Sequence, residues 1–311
     1  MKTCAVIYNP QSGHKNVVNL LPKIENMLNE YGYSAKIYGT EYSGHATEIV
    51  KNLDYVDLVI SMGGDGTFNE AITGNYYRKD RLVCAHIPVG TTNDIGIMMG
   101  YGKSILHNLK LTLEGVVKNV DICIINNRPF VYVAAIGKFT NIPYETPRQL
   151  KKKLGYFAYL GEGVKSFFNK TKLLDITYEI DGIEHRGLFS FMIVSSANRI
   201  GGISNFYKDV KLGDNQFEVL LCNFSRKIDV IRSLYFLTLY DVEKVPGMHF
   251  YKTNNIKIKF AEKPKKNWCI DGEMLNNNDL SFNISIDRDM QMMIPKKNVD
   301  KLFVDKGLWN I

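Results

Sequence analysis

Four short strand-like runs, at 3–8, Tyr33–Tyr38, Leu58–Ile60 and Leu82–Ile87, punctuate the first third of the chain, the first of them apolar and β-branched. Between them the apolar positions fall at helical spacing. Val17, Leu20, Leu21, Ile24, Met27 and Leu28 predict a helix to about Tyr31, and Ala46, Ile49, Val50 and Leu53 predict a second. Another helix is predicted over Ile105–Leu113, ahead of a strand holding Val120-Asp121-Ile122. Strands alternating with helices over 1–125 predict an α/β domain with a parallel sheet and flanking helices. From 126 the pattern changes to closely spaced apolar and aromatic runs: Phe130–Ile136, Leu174–Ile180, Leu188–Ser195, Phe217–Leu221, Ile256–Phe260, Trp268–Ile270 and Leu280–Ile286. Many short strands with turn signals predict a mainly β sandwich over 126–289, interrupted by helices at Pro147–Phe168 and Arg226–Tyr240. Met290–Pro295 is expected to return to the first domain as an added strand, so that 290–300 joins 1–125.

The loops after the first four strands carry the candidate chemistry. They are Asn9-Pro10-Gln11-Ser12-Gly13, Gly39-Thr40-Glu41, Gly63-Gly64-Asp65-Gly66-Thr67-Phe68-Asn69-Glu70 and Pro88-Val89-Gly90-Thr91-Thr92-Asn93-Asp94. Ligands of open α/β sheets bind at these carboxyl ends. In the third loop, three glycines in four positions let the backbone turn tightly and lie close to another group. Asp65 then faces whatever the turn encloses, and Thr67 stands at an expected helix N-terminus, which attracts phosphate. A helix-compatible segment, Phe68–Ile72, follows. The plainer reading is an ordinary strand-to-helix turn, which would not need three glycines and an acid.

Composition narrows the class. The chain of 311 residues is long enough for two domains, and no run approaches the roughly 18 apolar residues of a membrane span. The N-terminal apolar run is cut off by Asn9-Pro10, so a cytoplasmic protein is expected. Five scattered cysteines without a Cys-x-x-Cys pair predict buried reduced thiols. A net charge of +7 suggests an acidic partner without choosing among phosphates, anionic membrane and nucleic acid. No nucleic-acid module accompanies that charge, and no nucleic-acid partner is expected.

Asn9-Pro10-x-Ser12-Gly13, Gly63-Gly64-Asp65-Gly66-Thr67-x-Asn69-Glu70 and Pro88-x-Gly90-Thr91-x-Asn93-Asp94 follow one another as in the diacylglycerol kinase catalytic-domain family. The resemblance continues through Tyr144-Glu145-Thr146-Pro147, Ser196-x-Asn198-Arg199-x-Gly201-Gly202 and Ile270-Asp271-Gly272-Glu273. The chain most resembles the soluble bacterial diacylglycerol and lipid kinases. The resemblance implies an ATP- and Mg²⁺-dependent phosphotransferase acting on the hydroxyl of diacylglycerol, giving phosphatidic acid, or of a related lipid. It implies ATP contacts at Asn9, Pro10, Gln11, Ser12, Gly13, Thr40, Gly64, Asp65, Gly66, Thr67, Phe68, Asn69, Glu70 and Thr91. Asp65, Asp94 and Asp121 can hold Mg²⁺ directly or through water, and the plainer reading of Asp94 and Asp121 is that they cap helices or turns. A structural Mg²⁺ is implied at Asp214 with the carbonyls of Lys211 and Gln216, although Asn215 replaces the usual glycine.

Asp271, beside Glu273, is implied as the catalytic base that deprotonates the lipid hydroxyl; read without the resemblance, Asp-Gly is a favoured hairpin turn. Arg148, Lys151, Lys152, Lys153, Lys165, Lys170 and Lys172 surround Tyr156, Phe157, Tyr159, Phe167 and Phe168. This stretch predicts reversible association with the inner face of a membrane, or is a solvated basic face over a core-facing aromatic stripe. A homodimer is compatible with the same reading. Alternatives are kinases for a sphingosine-like lipid, phosphatidylglycerol or NAD, and a nucleotide- or lipid-binding regulator without catalysis.

Overall fold

The computed structural model describes residues 1–12, 17–137 and 173–304, apart from 198, 201, 202, 205, 206, 208, 225–227, 230, 231, 234, 235, 237–240, 276 and 277. Gly13, the helix expected at Pro147–Phe168, the basic aromatic stretch and most of Arg226–Tyr240 lie outside the described residues. The chain divides into two compact units, one of 1–121, 211–214 and 288–311, the other of 122–210 and 215–287.

The first unit is a parallel sheet with helices. Its strands are β1 (Lys2–Tyr8), β2 (Tyr33–Gly39), β3 (Leu58–Gly63) and β4 (Cys84–Pro88), in the order β2-β1-β3-β4. Every residue of β3 and β4 is buried, which is why they read as continuous apolar runs rather than alternating ones. The helices are α1 (Leu21–Glu30), α2 (His45–Asn52), α3 (Asp65–Tyr76), α4 (Asp94–Met98) and α5 (Ile105–Leu113). The single helix expected from Val17 is instead a 3-10 turn, Val17–Leu20, followed by α1. Pro22 explains the break, because a ring without an N–H suits the first turn of a new helix. Ile24 and Leu28 then bury the apolar stripe of α1 among strand residues including Val6, Leu58 and Ile60.

Two segments from far along the chain complete this unit. Residues 211–214 dock on β5 (Val116–Ile125): Asp121 N–H donates to the Leu212 carbonyl at 2.7 Å, and Leu212 N–H donates to the Leu302 carbonyl at 2.7 Å. The last strand, Ser281–Ile294, reaches β4, where Met292 pairs parallel with Cys84.

The second unit is a sandwich of antiparallel sheets. After β6 (Arg128–Phe130) come β7 (Val133–Gly137), β8 (Leu174–Ile180), β9 (Ile183–Phe189), β10 (Phe191–Ser195) and the short pair β11 (Arg199–Ile200) and β12 (Ile203–Ser204). Then follow β13 (Phe217–Cys222), β14 (Met248–Thr253), β15 (Asn255–Phe260), β16 (Trp268–Ile270), β17 (Glu273–Leu275) and β18 (Ser281–Ile294). The first half of β18 pairs with β15, β15 with β8 and β8 with β9. The facing sheet runs β14-β13-β10-β7-β16-β17. Alternate residues of both sheets fill one core, including Ile176, Tyr178, Ile256, Phe260, Val194, Val219, Phe217 and Trp268. All five cysteines are buried, reduced thiols.

Helix α3 carries the glycine loop, and its packing on α2 fixes where that loop sits. Gly74 lies so close to α2 that a Cβ there would stand 2.5 Å from the Thr47 carbonyl and 2.9 Å from Val50 Cβ. Helix propensity alone makes Gly→Ala stabilising by about 1 kcal/mol. Overpacking against backbone reverses the sign, so Gly74→Ala is expected to destabilise by roughly 1–3 kcal/mol. Thermal or urea denaturation checks this, and a raised midpoint would contradict the close packing.

Candidate functional site

The glycine loop after β3 meets the loop after β4 backbone to backbone. A Cβ on Gly90 would lie 2.6 Å from Gly64 Cα, and a Cβ on Gly63 would lie 2.5 Å from the Thr67 side chain. None of Gly63, Gly64 and Gly66 has a positive φ. Close approach, rather than a left-handed turn, is therefore what Gly63 and Gly90 supply. A Cβ on Gly66 would meet nothing within 4 Å, so open space lies over the first turn of α3. That helix begins at Asp65, three residues before the helix-compatible segment read from sequence, and its N-terminus has no side-chain cap. The first N–H groups of a helix have no partner within it, the arrangement that attracts phosphate.

The earlier helix start changes what the motif residues do. Phe68 is fully buried and stacks on His86 with ring centroids 4.6 Å apart; its N–H donates to the Gly64 carbonyl at 3.2 Å. Its ring is core, because position 68 already lies in the body of the helix. Burial pushes the His86 imidazole down to about 3, so that it stays neutral. Asn69 is also buried, and its side-chain oxygen accepts from the Thr73 hydroxyl at 3.5 Å.

Glu70 reaches sideways: its carboxylate accepts the N–H groups of Gly44 at 2.8 Å and Ala46 at 3.1 Å, capping α2. Asp65 does the same for α4, accepting Asp94 N–H at 3.0 Å and Ile95 N–H at 3.4 Å. Asn93 turns the chain into α4 with φ +51, and its side-chain N–H₂ donates to the Gly90 carbonyl at 2.7 Å.

The loop after β1 is tied to the same place. Asn9 N–H donates to the Met62 carbonyl at 3.1 Å, and Asn9 Nδ2 donates to Thr67 Oγ1 at 3.5 Å. Gln11 N–H donates to Asn9 Oδ1 at 2.8 Å, and Ser12 N–H to the Asn9 carbonyl at 3.1 Å across Pro10. Thr40 N–H donates to the Tyr8 carbonyl at 2.9 Å, while Thr91 is exposed. Of the implied ATP contacts, the structure thus gathers Asn9, Gly64 and Thr67 about one loop junction.

Asp94 and Asp121 are nearly fully buried, and Arg288 Nε lies 3.9 Å from Asp121 Oδ1. Among the described residues no three His, Cys, Asp or Glu side chains converge, so Asp65, Asp94 and Asp121 do not form one three-carboxylate cluster. In the loop implied for a second metal, Asn215 adopts φ +62, taking up the left-handed geometry of the missing glycine. Lys211 Nζ donates to the Lys301 carbonyl at 2.7 Å, which anchors one side of that loop.

In the second unit, Asp271-Gly272 is a hairpin turn between β16 and β17, with φ +47 and +85. The Asp271 carboxylate turns inward, 4% exposed, and accepts three successive backbone N–H groups. Val131 donates to Oδ2 at 2.6 Å; Tyr132 and Val133 donate to Oδ1 at 3.1 and 2.9 Å. Burial pushes its pKa up to about 6, opposed by these donors and assisted by the nearby Glu273 charge. Glu273 is paired with Arg128 Nη2 at 3.0 Å. Sequence reading missed Arg128 and the 131–133 donors; the latter leave no signal, because every residue there carries the same N–H.

The diacylglycerol kinase catalytic domain profile matches residues 3–125. A diacylglycerol kinase of Bacillus subtilis (strain 168) is 28% identical over 305 residues, covering 97% of this chain and 99% of that one. One from Staphylococcus saprophyticus is 31% identical over 274 residues, covering 88% and 89%. A solved structure of a diacylglycerol kinase from Bacillus anthracis str. Sterne shares the fold with a TM-score of 0.77 at 24% identity, over 96% of this chain and 99% of that one. With relatives of that identity matched nearly end to end, the chain belongs to the diacylglycerol kinase catalytic-domain family and is a lipid kinase.

Proposed function

We propose that the protein transfers the γ-phosphoryl group of ATP to the hydroxyl of diacylglycerol, giving phosphatidic acid. The observation that carries this reading is Asp271, a buried carboxylate whose pKa of about 6 suits a base that must take a hydroxyl proton near neutral pH. The relatives' names point to the acceptor. Phosphoryl transfer needs chiefly positioning and charge neutralisation. The uncapped N–H groups of α3, Thr67 and the loops of Asn9 and Gly90 serve the first need by holding the donor phosphates.

The oxygen donors Asp65, Asp94 and Asp121 fit Mg²⁺, which keeps several waters and takes one or two carboxylates plus substrate phosphates rather than a protein cage. Bound there, Mg²⁺ would neutralise charge on the transferring group. Asp65 can keep its two backbone bonds meanwhile, since a carboxylate offers about four acceptor sites. The loop of Lys211, Asp214 and Gln216 is our candidate for a second, structural Mg²⁺. We also retain reversible docking on the inner membrane face, through the basic aromatic stretch, as part of this reading. Among the described residues no helix is long and apolar enough to cross a membrane.

Asp271→Asn keeps one acceptor oxygen for the 131–133 N–H groups but cannot take a proton. It is expected to lose turnover by roughly a hundredfold or more while retaining its circular dichroism spectrum. Retained turnover removes Asp271 from the mechanism. Asp271→Ala is a poorer probe, because it strands three buried donors at a cost of about 1–3 kcal/mol each.

The pH dependence has a definite sign. The base works ionised, so kcat/KM should be flat above about 6 and fall as pH drops below it. Glu273→Gln removes a charge that raises the Asp271 pKa, so the acid limb should move to lower pH. A limb that stays fixed or moves up would show that the two groups are not electrostatically coupled.

A further inference from the structure

Tyr42 is 52% exposed yet held at three points, and neither the fold nor the phosphate-holding loops require this. Its ring stacks on His45, with centroids 4.5 Å apart and planes within 6°. Its hydroxyl donates to Glu48 Oε2 at 2.8 Å, and its carbonyl accepts His45 N–H at 3.3 Å. His45 is fixed in turn, because its Nδ1 accepts Glu41 N–H at 3.1 Å. Fixing a half-exposed aromatic costs rotamer entropy that the burial of only part of its ring offsets incompletely. Such a ring is preorganised for a flat partner.

The position selects the partner. Tyr42 follows β2, and in the sheet order β2-β1-β3-β4 the carboxyl end of β2 lies two strand spacings from that of β3. That is roughly 10 Å. The glycine loop after β3, with its uncapped helix, is the phosphate-holding element. A separation of that order suits the span from the phosphates of a nucleotide to its base. The link between the two places is rigid. Glu70, on the helix that leaves the glycine loop, grips the Gly44 and Ala46 N–H groups, and Thr47 Oγ1 donates to the Glu70 carbonyl at 2.9 Å.

We propose that the Tyr42 ring, backed by His45, is the stacking platform for the nucleobase of the phosphoryl donor, with Glu70 as the strut that sets its distance from the phosphate loop. The inference rests on a nucleotide being the donor, as proposed above. Stacking recognises the π-face of a base and needs no edge contacts.

The test is calorimetric titration of the full chain with ADP and, separately, with tripolyphosphate, which has the charge but no base. Tyr42→Ala is expected to weaken ADP binding roughly tenfold and to leave tripolyphosphate binding unchanged. Tyr42→Phe keeps the stacking face and should bind ADP within about twofold of the unaltered chain. Unchanged ADP affinity in Tyr42→Ala would overturn the platform while leaving the kinase reading intact. Equal loss of ADP and tripolyphosphate would also overturn it, by showing that Tyr42 only shapes the loop. An unaltered chain that binds tripolyphosphate but not ADP would defeat the nucleotide-donor reading itself, and the platform with it.

Discussion

Two carboxylates on one helix hold the loops after two other strands of the sheet in place. Asp65, at the start of α3, accepts the first N–H groups of α4 and so ties down the loop after β4. One and a half turns later, Glu70 accepts the first N–H groups of α2 and ties down the loop after β2. The orphan donors at a helix start must be satisfied by something, and an anionic acceptor there contributes roughly 0.5–2 kcal/mol. Here the acceptor comes from another element, so each cap is also a long-range tie. Gly90 then lets the loop after β4 touch the glycine loop after β3 backbone to backbone at Gly64. The proposed phosphate loop thus leads into α3, and the loops after β2 and β4 are tied to the same helix.

The second unit uses the same physics with the roles exchanged. At Asp271 the backbone supplies the donors and the side chain is the guest. Three N–H groups favour the charged carboxylate, while burial disfavours it more strongly, leaving a pKa of about 6. A carboxylate so placed is oriented by its bonds, and its pKa is set by its burial. Its place in a hairpin and its proposed place in the chemistry do not compete, because the φ of +47 at Asp271 presents the carboxylate to the 131–133 backbone.

What could be read from the chain follows from the range of each interaction. Apolar runs found β1 to β4, and helical spacing found α1, α2 and α5, since these patterns are local. The change to closely spaced strands after 126 showed the sandwich for the same reason. The start of α3 was placed too late because Gly63-Gly64-Asp65-Gly66 has the composition of a loop, and the ties that Phe68 and Glu70 make within the protein went unread with it. Asp65 capping α4 spans 29 residues and Glu70 reaching Gly44 spans 26, so nothing nearby in sequence announces either. Residues 211–214 packing against Asp121 and Leu302 is longer in range still. The family motifs located these residues without saying what each one touches.

The central claim is that a lipid hydroxyl, and that of diacylglycerol in particular, receives the phosphoryl group. The most direct measurement offers γ-labelled ATP and Mg²⁺ to the full chain with diacylglycerol, sphingosine, phosphatidylglycerol and NAD in separate mixed-micelle reactions. The account predicts label in phosphatidic acid from the diacylglycerol reaction and little in the others. Label in NADP, or in no acceptor at all, would contradict it.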